Sequence, residues 1–120
     1  MKASITSDIA PDIFKMTEQI EDIFEDEVVK LHNDLIDVGE AVRDTGNFKN
    51  SFSPIMHPSR YRWVIENDAH SVGGFDYASI LARGRLYVNG RWYGSVHWPK
   101  GLTPMLRKTA RNIKRRVDAL

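Results

Sequence analysis

The longest amphipathic stretch of the chain decides the fold, and it spans residues 9–42 with the sequence IAPDIFKMTEQIEDIFEDEVVKLHNDLIDVGEAV. Apolar residues recur there every three or four positions, at Ile9, Ile13, Met16, Ile20, Phe24, Val28, Leu31, Leu35, Val38 and Val42. At about 100° per residue they fall within an arc of about 120° on one side of a helix. Ser7 or Asp8 is expected to cap it, and Pro11 is tolerated in the first turn. The pattern predicts one helix of about 50 Å whose other side is acidic.

The middle of the chain predicts β-structure. We expect Phe48–Met56 to form a helical turn followed by an edge strand, because prolines interrupt and follow it. Tyr61–Glu66 alternates in polarity, which places the odd-numbered residues from Tyr61 to Ile65 on one face of a strand. Tyr77–Leu81 is expected to form a short helical turn.

A β-hairpin gives the clearest local signal, in Leu86–Tyr93. Asn89-Gly90 lies between β-forming residues, and this dipeptide favours a two-residue type I′ turn because both positions need a positive φ. In that register Tyr87 faces Trp92 across the strands, and such an aromatic pair would stabilise the hairpin.

A second amphipathic helix is predicted from Pro104 to about Ala119, with Thr103 as its cap. Its buried stripe is expected to be Leu102, Leu106, Ala110, Ile113, Val117 and Leu120. The other side is basic and carries Arg107, Lys108, Arg111, Lys114 and Arg115. The predicted architecture is α+β, with the long N-terminal helix and the C-terminal helix packed on a small antiparallel sheet that includes the hairpin.

Composition narrows the possible functions. A chain of 120 residues is expected to form one domain, spanning 1–120, and its 42% hydrophobic content is ordinary for a globular protein. The absence of cysteine excludes disulfides, thiol nucleophiles and cysteine-ligated zinc. The four histidines form no H-E-x-x-H pair, so we expect no metal, no cofactor and no catalytic site. No apolar run approaches a membrane span and Met1–Ser4 does not resemble a signal peptide, so synthesis in a cytoplasm is expected.

Charge is strongly separated along the chain. Residues 1–40 contain three lysines and eleven acidic residues, a net of −8, whereas residues 81–120 contain ten basic residues and one acidic residue, a net of +9. If both helices bury their apolar stripes, their charged sides face outward. The acidic side would carry Glu18, Glu21, Asp22, Glu25 and Asp26. Such polarity predicts a partner, either nucleic acid or the opposite pole of another copy.

Three short motifs follow one another in a familiar order, and we read the first as a structural turn. They are Asp44-Thr45-Gly46 followed by Phe48, Lys49 and Ser51; Tyr77-Ala78 followed by Gly84; and Pro104-Met105-Leu106 opening the last helix. In this order, over about residues 9–120, the chain resembles the tail-completion, or neck, proteins of long-tailed phages. The resemblance implies a non-enzymatic virion protein at the head–tail junction, in a ring of about six copies. It also implies connector or adaptor proteins and tail-terminator or tail-tube proteins as neighbours, with no membrane partner.

Three interpretations of the basic helix stay open. It could dock on the acidic helix of a neighbouring subunit, remain a solvated charged face, or bind nucleic acid in a salt-sensitive way that ignores sequence. The Asp-Thr-Gly motif also occurs in aspartic proteases, where two copies meet to share a proton. Here it follows a helix and occurs once in the chain, so a structural turn is favoured.

Overall fold

A computed structural model describes residues 1–6, 17–42, 47–60, 62–70 and 76–120. The elements in chain order are β1 (Lys2–Thr6), α1 (Thr17–Ala41), α2 (Asn47–Asn50), β2 (Met56–Ser59), β3 (Arg62–Glu66), α3 (Tyr77–Ala82), β4 (Leu86–Val88), β5 (Arg91–Tyr93) and α4 (Thr103–Asp118). The predicted α+β class is confirmed, since two long helices accompany two small antiparallel sheets. A radius of gyration of 16.2 Å exceeds the roughly 14 Å of a compact domain of this length. The molecule is therefore elongated.

The long helix predicted for residues 9–42 is confirmed over the part that the structure describes, where it forms α1. Its 25 residues correspond to about 38 Å at 1.5 Å per residue. The predicted stripe is buried from Ile20 to Leu35, where Leu35 is completely inaccessible to solvent, and it is half-buried at Val38 and Val42. Two side chains between stripe positions, Ile23 and Glu27, are buried as well. Residues 9–16 and the expected capping positions lie outside the described residues.

The three-stranded sheet has the order β1-β3-β2, and both pairings are antiparallel. Strand β1 was not predicted, because five residues with one clear alternation give little signal on their own. Strand β3 lies in the centre, and Trp63, Val64 and Ile65 are all buried. The predicted face is thus found at Trp63 and Ile65, while Tyr61 lies outside the described residues.

The segment after α1 follows the predicted order of a helical turn and an edge strand. Helix α2 is one short turn, and β2 begins at Met56, so the strand follows the predicted segment instead of lying within it. Trp63 of β3 stacks on Phe24 of α1, with ring centroids 5.2 Å apart. This aromatic contact joins the sheet to α1.

Helix α3 and the hairpin confirm their predictions. The carboxylate of Asp76 accepts hydrogen bonds from the backbone N–H and the hydroxyl of Ser79, which caps α3. In the hairpin, Asn89 and Gly90 have φ values of 51° and 81°, as a type I′ turn requires. Tyr87 pairs with Trp92, with ring centroids 5.1 Å apart.

Helix α4 packs mainly on α1, and α1 in turn contacts β3. The predicted cap is wrong: the residue before the first turn is Leu102, and no side chain caps the helix. The stripe is also rotated from the predicted one, since Thr109 is buried while Ala110 is exposed. The reason is that α4 lies against a second helix, whose curved surface selects a narrower set of positions than a sheet would.

Candidate assembly surfaces

The seam between α1 and α4 contains an ion-pair cluster that sequence reasoning missed. The Arg116 guanidinium donates from Nη1 to Glu27 Oε1 and from Nη2 to Asp26 Oδ2, both at 3.1 Å. Lys30 Nζ also lies 3.2 Å from Glu27 Oε1. The Glu27 side chain is only 4% exposed, so these bonds satisfy a carboxylate that water hardly reaches.

The cluster shifts the pKa values of Glu27 and Arg116. Burial by itself raises the pKa of Glu27, but the hydrogen bonds from Lys30 and Arg116 outweigh it and hold that pKa below its usual range. The hydrogen bonds to Asp26 and Glu27 raise the pKa of Arg116. Glu27 and Arg116 therefore both stay charged at neutral pH, and one part of the two charged surfaces is neutralised within a single molecule.

The acidic side of α1 is consequently smaller than expected. Asp26 turns toward the seam, and Glu21 forms an ion pair with Arg60. Asp26 is exposed and Glu21 is half-buried, but cations of the same chain pair with both, so these two are less available to another copy. Glu18, Asp22 and Glu25 are exposed, and they form the acidic face, as we call it from here.

The apolar side chains Val29 and Ile36 lie on the same outward side of α1. Val29 is 41% exposed and Ile36 is half-buried. Seven residues separate them, which corresponds to two helical turns or about 10.5 Å along the axis. The outward side of α1 thus combines negative charge with two apolar positions.

The basic side of α4 is exposed as predicted from its amphipathic pattern. Arg107, Lys108, Arg111 and Arg115 are accessible to solvent and form no ion pair within the described residues; we call these four the basic face. Lys114 differs because it donates to Asp118 at 2.6 Å within the same helix, and this bond raises its pKa. The five predicted basic residues are thus divided into four cations available to a partner and one already paired.

The hairpin arm, defined as Leu86–Tyr93, is exposed to solvent on both of its faces. All six of its strand residues are exposed, although most of them are apolar or aromatic. Tyr87 is 61% exposed and Trp92 is 59% exposed. The Asn-Gly turn was found from sequence, but exposure on both faces was not, because alternation predicts a face and not what covers it.

A groove of about 410 Å³ lies between α1 and α4. Its wall includes Glu27, Lys30 and Asp34 from α1 and Lys108 and Thr109 from α4. Charges of both signs alternate along it, which does not indicate a particular ligand. Among the described residues, no group of three or more histidine and carboxylate side chains is arranged to hold a metal ion.

Some sequence predictions cannot be placed. Asp44, Thr45 and Gly46 lie outside the described residues, and so does the loop of residues 71–75. No described helix is long and apolar enough to cross a membrane. Comparison with known protein families, with curated proteins and with solved structures gave no match for this chain.

Proposed function

We propose that this chain is a structural subunit of the head–tail junction of a long-tailed phage, where about six copies close into a ring. Its neighbours would be connector or adaptor proteins on one side and tail-terminator or tail-tube proteins on the other. The order of the Asp-Thr-Gly, Tyr-Ala and Pro-Met-Leu motifs supports the proposal. The α+β architecture with two long helices is compatible with it.

One observation carries the self-assembly part of the proposal. After the seam cluster is formed, the acidic face of α1 and the basic face of α4 still point to solvent with opposite charge. Two different surfaces that complement each other produce a head-to-tail contact, which closes into a ring if the rotation between copies allows it. Exposed ion pairs contribute only about 0–1 kcal/mol each, so charge sets the register and the association rate while other contacts supply affinity.

Virions of the source phage provide the direct test. We expect the chain in purified particles by mass spectrometry, and a ring of it at the neck in an electron cryomicroscopy map. Its absence from intact particles would overturn the phage assignment.

A charge-swap experiment tests the self-contact separately. Arg107→Glu with Arg111→Glu should abolish oligomers seen by native mass spectrometry in low salt, and so should Asp22→Lys with Glu25→Lys. A mixture of the two double variants should associate again, because each supplies the charge that the other has lost. Arg62→Glu, at an exposed cation of the sheet, is the control and should leave association unchanged. Failure of the mixture to associate would refute a contact between these two faces.

A nucleic-acid-binding module is the second candidate, and one observation favours it. Residues 77–117 contain ten basic residues and no acidic residue, so a continuous stretch of chain could neutralise phosphates. This candidate predicts tight binding of duplex DNA that falls steeply with salt and is lost when Arg111, Lys114 and Arg115 are replaced by Glu. Weak binding with a shallow salt dependence would exclude it.

A further inference from the structure

We infer that the hairpin arm docks on the outward side of α1 of a second copy of this chain, with Tyr87 and Trp92 as its anchors. This inference rests on the self-assembly proposed above and names the contact that would supply its affinity.

Among the residues that the structure describes, no element covers the arm. One face presents Tyr87 and Trp92, and the other presents Leu86, Val88 and Tyr93, each at least 40% exposed. A two-stranded hairpin is only marginally stable alone in water, and a cluster of exposed apolar groups of this kind marks a protein interaction site. The arm is thus an element whose burial is completed by a partner.

The base of the arm is fixed, so the arm projects in a defined direction. Arg85 N–H donates to the Pro99 carbonyl at 2.8 Å. Gly94 has a φ of +86°, and a Cβ there would overlap the carbonyl group of Gly84. Leu102 N–H donates to the Ala82 carbonyl at 2.7 Å, which joins the end of α3 to the start of α4. A fixed direction lowers the entropy cost of docking, since the arm does not have to be ordered by its partner.

The residue types of the arm are those that dominate binding energy at protein interfaces. Trp, Tyr and Arg are enriched among such residues. Here the Arg85 guanidinium lies over the Trp92 ring, 4.4 Å from its centroid, while Tyr87 packs on the other strand beside Trp92. The three side chains form one preassembled surface.

Charge selects α1 of another copy as the partner of that surface. Arg91 belongs to the arm, Arg83, Arg85 and Lys100 lie near it in the sequence, and no acidic residue occurs between residues 77 and 117. The outward side of α1 presents the opposite sign at its acidic face, together with the apolar positions Val29 and Ile36. Aromatic anchors would cover the apolar positions while the arginines meet the carboxylates, as complementary interfaces require.

Engineered disulfides test the inference directly, because the chain has no cysteine of its own. Tyr87→Cys places a thiol on the anchoring face of the arm beside Trp92, which is kept, and Val29→Cys places one on the acceptor side of α1; both positions are exposed. The two variants, distinguished by a mass tag, are mixed at high concentration in low salt under mild oxidation. Ser59→Cys, exposed on β2, replaces the acceptor in the control. A disulfide needs Cα atoms within about 7 Å, so a fast cross-link reports direct contact.

We expect the Tyr87→Cys and Val29→Cys pair to cross-link at least about tenfold faster than the control pair, by the geometric requirement above. Adding Trp92→Ala to the arm variant should remove most of this advantage, whereas Trp92→Phe should retain most of it. Equal rates for both pairs would overturn the inference, as would a predominance of arm-to-arm cross-links.

The outcome also distinguishes this inference from the proposed function. Cross-linking of the expected pair with no chain in virions would leave the docking contact standing and refute the phage assignment. Restored association in the charge-swap mixture without cross-linking would support ring assembly and refute the role of the arm. If a single-stranded oligonucleotide quenches the fluorescence of Trp92 and no cross-link forms above the control rate, the arm binds nucleic acid and not a second copy.

Discussion

Replacement of Glu27 by Gln tests whether the ion-pair cluster holds α4 against α1. The carboxylate is 4% exposed and accepts hydrogen bonds from Lys30 and Arg116. A hydrogen bond to a charged group contributes about 1.5–3 kcal/mol. Both donors are partly exposed and can return to water, and the glutamine oxygen keeps weaker bonds. We therefore expect the free energy of unfolding to fall by about 1–2 kcal/mol, or about 4–8 °C in Tm.

The same variant makes a prediction about pH. The pKa of Glu27 in the folded protein lies below its ordinary value of 4.5, so the charged form stabilises the fold. This contribution is complete above the pKa of the unfolded chain and is lost as the pH falls through the lower pKa of the folded protein. The difference between the wild-type chain and Glu27→Gln should therefore be full at neutral pH and should shrink as the pH is lowered below 4.5.

Urea unfolding monitored by circular dichroism, at neutral and at acidic pH, measures both effects. Glu25→Gln is the matched control, because Glu25 lies on the same helix, is exposed and forms no ion pair within the described residues. Its effect should stay within about 0.5 kcal/mol at either pH. Equal effects of the two variants at neutral pH would show that the cluster does not stabilise the contact between the helices.

Three further outcomes follow from burial and backbone geometry. Leu35→Ala, at a side chain with no exposed surface, should cost about 2–5 kcal/mol in chemical unfolding; a cost below 1 kcal/mol would contradict its place in the core. Gly94→Ala should cost about 1–3 kcal/mol, because a side chain is strained at its positive φ and would overlap Gly84; unchanged stability and unchanged hairpin signals in NMR spectra would refute the close approach. Trp92→Phe should remove the red-shifted part of the tryptophan emission, because the other two tryptophans are buried; an unchanged spectrum would show that Trp92 is covered in solution.

The sequence by itself determined the elements whose signal is local. The described part of the long helix, the Asn89-Gly90 hairpin with its Tyr87–Trp92 pair, and the C-terminal helix are each specified by residues close together in the chain. Hydrophobic periodicity and turn preferences depend on a few neighbouring residues, so they predict these elements without knowledge of the tertiary packing. The separation of charge between the two ends of the chain was also visible at this level, and it led to the expectation of a charged interface.

Only the tertiary structure decided which of those charges are available to a partner. Arg116 and Glu27 are 89 residues apart, and no pattern in either helix predicts that they meet. Strand β1 forms because β3 offers it a hydrogen-bonding edge, and Thr109 is buried because α4 lies against α1. Each depends on a pairing between distant segments, whose free energy comes from surfaces that exist only after the chain has folded. The same holds for the hairpin arm: its sequence specifies the turn, but its exposure follows from where the other elements pack.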